Sequence, residues 1–137
     1  MTRFLVDSSA LLALVNRTDQ YYPPATSFVR SHLGDGFYVP DTVFVETMTL
    51  IKARLGVKPA VDLGTRVRAS SVFVLVPLTA ADYEATWGIF SRYTDKEWGY
   101  VDCSILAVAR RLSVLTVFAF DHHFDQMAEL TRVPAAS

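Results

Sequence analysis

Residues 4–14 have the sequence FLVDSSALLAL, and this stretch places one carboxylate, Asp7, where an apolar strand gives way to a helix. Residues 4–6 form a short continuous apolar run, which is typical of a strand buried on both faces in a parallel sheet. We expect Ser8 or Ser9 to cap the helix that follows. Ligands of open α/β sheets bind beyond the carboxyl ends of the strands. Asp7 is therefore predicted to lie at the functional edge of the sheet.

The composition indicates one globular domain. The chain has 137 residues, of which 51% are hydrophobic, so a single domain over residues 1–137 can bury a real core. Asp7 divides the apolar N-terminal segment into runs far shorter than the roughly 18 residues of a membrane-spanning helix, and we expect a cytoplasmic protein without a membrane partner. Cys103 is the only cysteine, which excludes an internal disulfide and a thiolate zinc site.

The net charge of −1 differs from the basic character that is usual in nucleic-acid-binding proteins. However, several acids gathered at one site can lower the net charge of a protein whose remaining surface is basic. If four acids are confined to one metal site, the rest of the chain carries +3, which gives a modestly basic surface around an acidic centre. The net charge therefore does not exclude a nucleic acid as substrate.

Apolar runs and helical patterns alternate along the chain, which predicts a parallel sheet covered by helices on both faces. The predicted strands are residues 4–6, 37–39, 72–76 and 115–120, with an edge strand near 131–133. Three helices are predicted to begin after Asp7, Pro40 and Thr79. Three more are predicted to cover residues 25–33, 58–70 and 101–112. Residues 16–24 are predicted to form a loop, and residues 93–100 a loop over a site.

Four acidic residues are predicted to gather at one end of this layer. Asp7 and Asp121 follow apolar strands, while Glu46 and Asp102 lie near the starts of helices. Like charges at one edge repel one another, so such a group is stable only if a cation binds or some acids keep a proton. Oxygen ligands without cysteine suit Mg²⁺ or Mn²⁺. Taken alone, each acid has the alternative of helix capping or ordinary surface placement.

Two adjacent histidines, His122 and His123, follow Asp121 and suggest a transition-metal site or a general base. Neighbouring residues at the start of a helix point in different directions, so both rings cannot easily bind one ion. We therefore expect these histidines to lie on the surface or in loop packing.

The chain resembles the PIN-domain ribonucleases, and in particular the VapC-type toxins of bacterial toxin–antitoxin pairs. The resemblance covers nearly the whole chain and rests on four segments, which are FLVDSSALLAL, VPDTVFVETMTL, YVDCSILAVAR and VFAFDHHF. The acidic positions of the family fall on Asp7, Glu46, Asp102 and Asp121. Ser8 or Ser9 stands where the family tends to keep a hydroxyl beside its first Asp.

Two positions depart from the family pattern. Gly99 stands where many members have Ser or Thr, three residues before the third acid, and Ala119 stands where many have Thr or Ser, two residues before the fourth. His123 occupies a place where some relatives carry a further acid, which leaves Asp125 as a peripheral helper at most.

The resemblance implies an α/β/α sandwich of three layers and a single PIN domain over residues 1–137. It also implies metal-dependent endonucleolytic cleavage of RNA, homodimerisation and inhibition by a cognate antitoxin. One or two divalent ions would bind the scissile phosphate and lower the pKa of an attacking water. The ion would be Mg²⁺, with Mn²⁺ as a possible substitute. Asp7, Asp102 and Asp121 would be the principal ligands. Glu46 would complete the shell of a second ion or orient the water.

Two other classes remain open on the sequence alone. A phospho-accepting receiver domain also gathers acids at strand ends, but it needs paired acids early in the chain and a lysine after its last strand, and Lys52, Lys58 and Lys96 stand elsewhere. A catalytically silent PIN-like module that only binds RNA or protein would lack an acid, and all four are present. A metal-dependent RNA cleavage assay separates this second class from a nuclease.

Overall fold

The computed structural model describes residues 1–135, which fold around a five-stranded parallel sheet. The strands are β1 (Arg3–Val6), β2 (Gly36–Pro40), β3 (Phe73–Val76), β4 (Thr116–Phe118) and β5 (Thr131–Val133). Their spatial order is β3-β2-β1-β4-β5, and every neighbouring pair runs parallel. The predicted parallel sheet and its edge strand near the C-terminus are confirmed.

Six α-helices cover the sheet, namely α1 (Ser8–Val15), α2 (Tyr22–Ser31), α3 (Asp41–Leu55), α4 (Val57–Ala69), α5 (Ala80–Arg92) and α6 (Tyr100–Leu112). A short 3₁₀ helix (His122–Gln126) follows β4. Successive side chains of a strand point to opposite faces, and the neighbours Leu5 and Val6 are both fully buried, so helices close both faces. The α/β/α sandwich of three layers is confirmed. Within residues 1–135, no helix is both long and apolar enough to cross a membrane.

Phenylalanines fill much of the core between β1, β2 and β4. The Phe37 ring lies 5.2 Å from that of Phe4 and 5.6 Å from that of Phe118, and Phe28 of α2 stacks on Phe118 at 5.0 Å. Such aromatic pairs add to the hydrophobic burial of the rings. This packing holds the three central strands in register and so determines where their carboxyl ends lie.

The predicted bounds of α2 and β4 were wrong. Helix α2 begins at Tyr22 rather than at residue 25, because Pro23 and Pro24 occupy its first turn, where proline is tolerated and its missing N–H is not needed. Strand β4 ends at Phe118 rather than at residue 120, because the N–H of Phe120 donates to the Ser9 hydroxyl at 3.0 Å and not to a neighbouring strand.

The strand order changes direction between β1 and β4. From β1 the chain proceeds outward to β2 and β3, and it then returns to the other side of β1 for β4 and β5. In open parallel sheets, the crevice beyond the carboxyl ends at such a reversal is the usual place for a ligand. Asp7 follows β1 directly and Asp121 lies three residues beyond the end of β4, so the crevice receives two of the predicted site residues.

Candidate active site

A cleft of about 480 Å³ opens at this crevice. It is lined by all four of the predicted acids, which are Asp7, Glu46, Asp102 and Asp121. They come from four different elements of the fold, so the cleft exists only in the complete sandwich. The structure therefore brings together every acid that the sequence pattern singled out.

Asp7 is the N-cap of α1, with extended backbone angles (φ −93°, ψ 159°) and a side chain that accepts the N–H of Ser9 at 3.1 Å. The expectation that Ser8 or Ser9 caps this helix was wrong, because both lie inside its first turn. Ser9 instead donates its hydroxyl to Asp7 Oδ2 at 2.6 Å. The Asp7 side chain thus has a fixed orientation before any ligand binds.

Burial makes Asp7 a weak acid. Its side chain is buried, with 3% of the residue exposed, and this loss of solvation raises its pKa to about 7. The hydrogen bonds from Ser9 oppose the rise, while the charges of Asp102 and Asp121 add to it. Burial, rather than repulsion among the acids, is therefore the main reason that the pKa of Asp7 is raised.

Glu46 lies in the second turn of α3 and faces the same cleft. The hydroxyl of Ser8 lies 3.4 Å from its Oε2. Partial burial raises the pKa of Glu46, and the charge of Asp102 raises it further. Ser8 and Ser9 thus divide their hydroxyls between the two acids at the α1 side of the cleft.

Asp102 lies in the first turn of α6, where its Oδ2 accepts the N–H of Gly99 at 2.9 Å. The same oxygen lies 2.8 Å from Nδ1 of His123. Burial raises the pKa of Asp102, and the contact with His123 opposes this rise. Asp102 is therefore contacted by a backbone N–H and an imidazole. Residue 99 is glycine and has no hydroxyl to offer this acid.

His123 lies in the cleft, while its neighbour His122 is exposed. Asp121 caps the 3₁₀ helix by accepting the N–H of His123 at 2.9 Å, and Nδ1 of His123 lies 3.4 Å from Asp121 Oδ1. The expectation that both histidines are surface or loop residues was thus wrong for His123. Burial lowers the pKa of His123, but the hydrogen bond to Asp102 and the nearby acids raise it by more, so it lies above its ordinary value.

Asp102, Asp121 and His123 offer one ligand atom each within 4.8 Å of one another, and they are the one such group of three found in residues 1–135. Asp7 and Glu46 line the same cleft outside this close group. A set dominated by carboxylate oxygens fits a hard divalent ion. Asp125 instead pairs with Arg132, whose Nε lies 2.9 Å from its Oδ1, and it does not line the cleft.

Arg54 also lines the cleft, although it was not predicted as a site residue. Glu46, Leu50 and Arg54 are spaced four residues apart on α3 and all line the cleft. This spacing places side chains on one helix face, so the position of Glu46 was the signal that could have found Arg54. For His123 the signal was weaker, because its contact with Asp102 joins two elements that are distant in sequence.

Comparison with known proteins defines the class first. A family model described as PIN domain matches residues 4–130, and the chain therefore belongs to the PIN domain family. Among individual relatives, it is 33% identical over 83 residues to the 23S rRNA-specific endonuclease VapC20 of two Mycobacterium tuberculosis strains. The alignment covers 61% of this chain and 63% of that relative, so the chain spans less than two thirds of the curated relative that it matches.

Solved structures agree with this assignment. The crystal structure of Mycobacterium tuberculosis VapC20, described as a Sarcin-Ricin loop cleaving toxin, superposes with a TM-score of 0.84 and 28% identity over 90% of this chain and 94% of that one. FitAcB from Neisseria gonorrhoeae gives a TM-score of 0.70 at 19% identity, covering 94% and 95% of the two chains. VapBC2 from Rickettsia felis, bound to a DNA fragment from its promoter, gives 0.70 at 10% identity, covering 96% and 97%. These last two support the fold alone.

Proposed function

We propose that this protein is a metal-dependent endoribonuclease that acts as the toxin of a toxin–antitoxin pair. The observation that carries the proposal is the convergence of Asp7, Glu46, Asp102 and Asp121 on one cleft at the β1/β4 crevice. Membership of the PIN domain family and the likeness to an rRNA endonuclease support it.

The acids divide into two groups with different tasks. Asp102 and Asp121, with their ligand atoms close together, would hold a divalent ion, Mg²⁺ or Mn²⁺, and Asp7, which lines the same cleft, would complete its binding. When bound, such an ion supplies activation of the attacking water and stabilisation of the charge on the phosphate and on the leaving 3′ oxygen. Glu46, next to Ser8, would orient the water or complete the site of a second ion. Its raised pKa suits a group that takes a proton from that water.

Arg54 gives the acidic cleft a cationic edge. It is exposed and lies two helical turns beyond Glu46 on the face of α3 that lines the cleft. An arginine at the rim of an acidic site can bind a backbone phosphate of RNA through paired hydrogen bonds. We assign it to a phosphate next to the scissile one, where it would offset the repulsion between the acids and the RNA.

The partners follow from the same reasoning. The activity of the relative, a 23S rRNA-specific endonuclease, makes 23S rRNA the first substrate to test. A cognate antitoxin would silence the protein by placing an arginine or lysine in the acidic cleft, where the cation would take the place of the metal. The exposed aromatic side chains of α5, Tyr83, Trp87 and Phe90, offer a surface for homodimerisation.

The test is cleavage of an RNA oligonucleotide that contains the Sarcin-Ricin loop, with Mg²⁺, with Mn²⁺ and with a chelator. We expect metal-dependent cleavage by the unaltered protein and its loss in Asp102→Asn. Asp125→Asn is the matched control, because Asp125 is an acid outside the cleft that pairs with Arg132. RNA binding without cleavage under every metal condition would identify the silent binding module instead.

A further inference from the structure

We infer that His123 is itself a ligand of the divalent ion, so that the site binds Mn²⁺ in preference to Mg²⁺. This inference rests on the proposed metal-dependent function and deepens it, because it concerns which ion the cleft selects. It is carried by the position of the imidazole relative to two acids, and not by the family resemblance, in which some relatives carry a further acid at this place.

The distances around His123 match the edges of a coordination polyhedron. Nδ1 of His123 lies 2.8 Å from Asp102 Oδ2 and 3.4 Å from Asp121 Oδ1. Around a six-coordinate ion with bonds of about 2.1 Å, neighbouring ligand atoms are about 3 Å apart. In the ion-free protein Nδ1 donates a proton to Asp102 Oδ2. The three atoms therefore stand where one ion can contact all of them with small movements once Nδ1 releases this proton to solvent, because an imidazole binds a metal through its deprotonated nitrogen.

The backbone holds the ring in this place. The N–H of His123 donates to Asp121 Oδ1 at 2.9 Å, and the next residue, Phe124, is fully buried and anchors the 3₁₀ helix in the core. Asp102 is fixed from the other side by the N–H of Gly99. A ligand on such supported elements loses little freedom when the ion binds.

A nitrogen ligand changes which ion is preferred. Mg²⁺ takes oxygen ligands and gives up its water reluctantly, whereas first-row transition ions accept imidazole readily. Replacing one carboxylate of an all-oxygen site by His123 therefore favours Mn²⁺ over Mg²⁺. His122 cannot share this role, because it is exposed and does not line the cleft.

The alternative is that His123 only positions Asp102 through a hydrogen bond and never touches the ion. Pulsed electron paramagnetic resonance of the Mn²⁺-loaded full-length protein separates the two roles, because a directly bound imidazole nitrogen modulates the Mn²⁺ signal. We expect this ¹⁴N coupling in the unaltered protein and in His122→Ala, and its loss in His123→Ala and His123→Asp. His123→Asp keeps an oxygen ligand and so guards against simple loss of the site.

Competition gives a second readout. Displacement of bound Mn²⁺ by Mg²⁺, followed through the signal of free Mn²⁺, should show an Mn²⁺/Mg²⁺ affinity ratio at least about tenfold lower in His123→Asp than in His122→Ala. Binding of Mn²⁺ without ¹⁴N coupling in the unaltered protein would overturn the role of His123 and leave the metal-dependent function standing. Absence of any Mn²⁺ or Mg²⁺ binding would overturn both.

Discussion

The Ser9 hydroxyl donates to Asp7 Oδ2 at 2.6 Å and accepts the N–H of Phe120 at 3.0 Å. One side chain thus joins the first acid of the cleft to the segment that leads from β4 to Asp121. Because hydroxyls can donate and accept at once, Ser9 serves both neighbours without leaving either polar group unpaired. The relative position of Asp7 and Asp121 depends on this contact.

Ser9→Ala should destabilise the protein and weaken the site together. The substitution removes one hydrogen bond from Asp7 and leaves the N–H of Phe120 without its acceptor, which should cost about 1–3 kcal/mol. Urea unfolding measures this loss. Ser8→Ala is the control, because its hydroxyl makes only the longer 3.4 Å contact with Glu46. Equal losses in the two variants would contradict the bridging role of Ser9.

The metal-free protein should become less stable as the pH rises from about 4 to 7. The folded-state pKa of Asp7 is about 7, against an ordinary value near 4, so in this range the folded protein holds a proton that the unfolded chain has lost. Stability therefore falls as the pH rises, by an amount on the order of 4 kcal/mol once the pH exceeds 7. Thermal melts in chelator at several pH values measure the trend.

Asp7→Asn should remove most of this pH dependence and melt above the unaltered protein at pH 8 in chelator. Asparagine has no charge to bury, yet its side-chain oxygen can still cap α1. The control is Asp62→Asn, an acid that pairs with Lys58 on the exposed surface of α4. A pH trend in Asp7→Asn as steep as in the unaltered protein would mean that another group causes it.

Glu46→Gln should separate catalysis from metal binding. If Glu46 orients or deprotonates the attacking water, the amide should lower RNA cleavage by roughly 10²–10⁴-fold, while the affinity for Mn²⁺ changes little. Glu84→Gln on the exposed part of α5 is the control. A large loss of Mn²⁺ affinity in Glu46→Gln would instead make Glu46 a metal ligand.

Divalent metal should stabilise the unaltered protein much more than Asp121→Asn. An ion that binds only the folded state adds RT ln(1 + [L]/Kd), or about 2.7 kcal/mol at a concentration 100 times Kd. Melts with and without Mn²⁺ measure the difference, with Asp125→Asn as the control that should respond like the unaltered protein. An equal response in Asp121→Asn would place the ion elsewhere.

A homodimer built on α5 should dissociate when its exposed aromatic surface is charged. Trp87 is 58% exposed and lies 6.2 Å from the ring of Phe90, so a second copy that covers both would exclude an aspartate there. Sedimentation should show a dimer for the unaltered protein and a monomer for Trp87→Asp. Val61→Asp, at a similarly exposed apolar position on α4, should remain dimeric.

The acids could be predicted from the sequence because each stands beside a local signal. Asp7 and Asp121 come after apolar runs, and Asp102 stands at the start of a strongly patterned helix, so neighbours along the chain suffice to place them. The beginning of α2 was missed because two prolines were interpreted as a loop, although the first turn of a helix accepts them.

His123 could not be placed in this way. Its partner Asp102 lies 21 residues earlier, and their contact depends on how closely the 3₁₀ helix approaches α6. The local sequence predicts that the side chains of His122 and His123 point in different directions. It does not predict which of the two faces the cleft. The sequence pointed to repulsion among the acids as the reason for a retained proton, whereas burial is the main cause of the raised pKa of Asp7. Burial could not be predicted from the sequence because it is a property of the packed sandwich.

The pairing of β1 with β4 also has a consequence for the order in which the protein is synthesised. The backbone N–H of Asp7 donates to the carbonyl of Phe118, and Ser9 awaits the N–H of Phe120, so a growing chain that has not yet released these residues from the ribosome cannot hold its first acid in place. Asp121 and His123 emerge later still. The cleft can therefore assemble only after residues 118–123 have left the ribosome, and a shorter nascent chain carries no complete cleft.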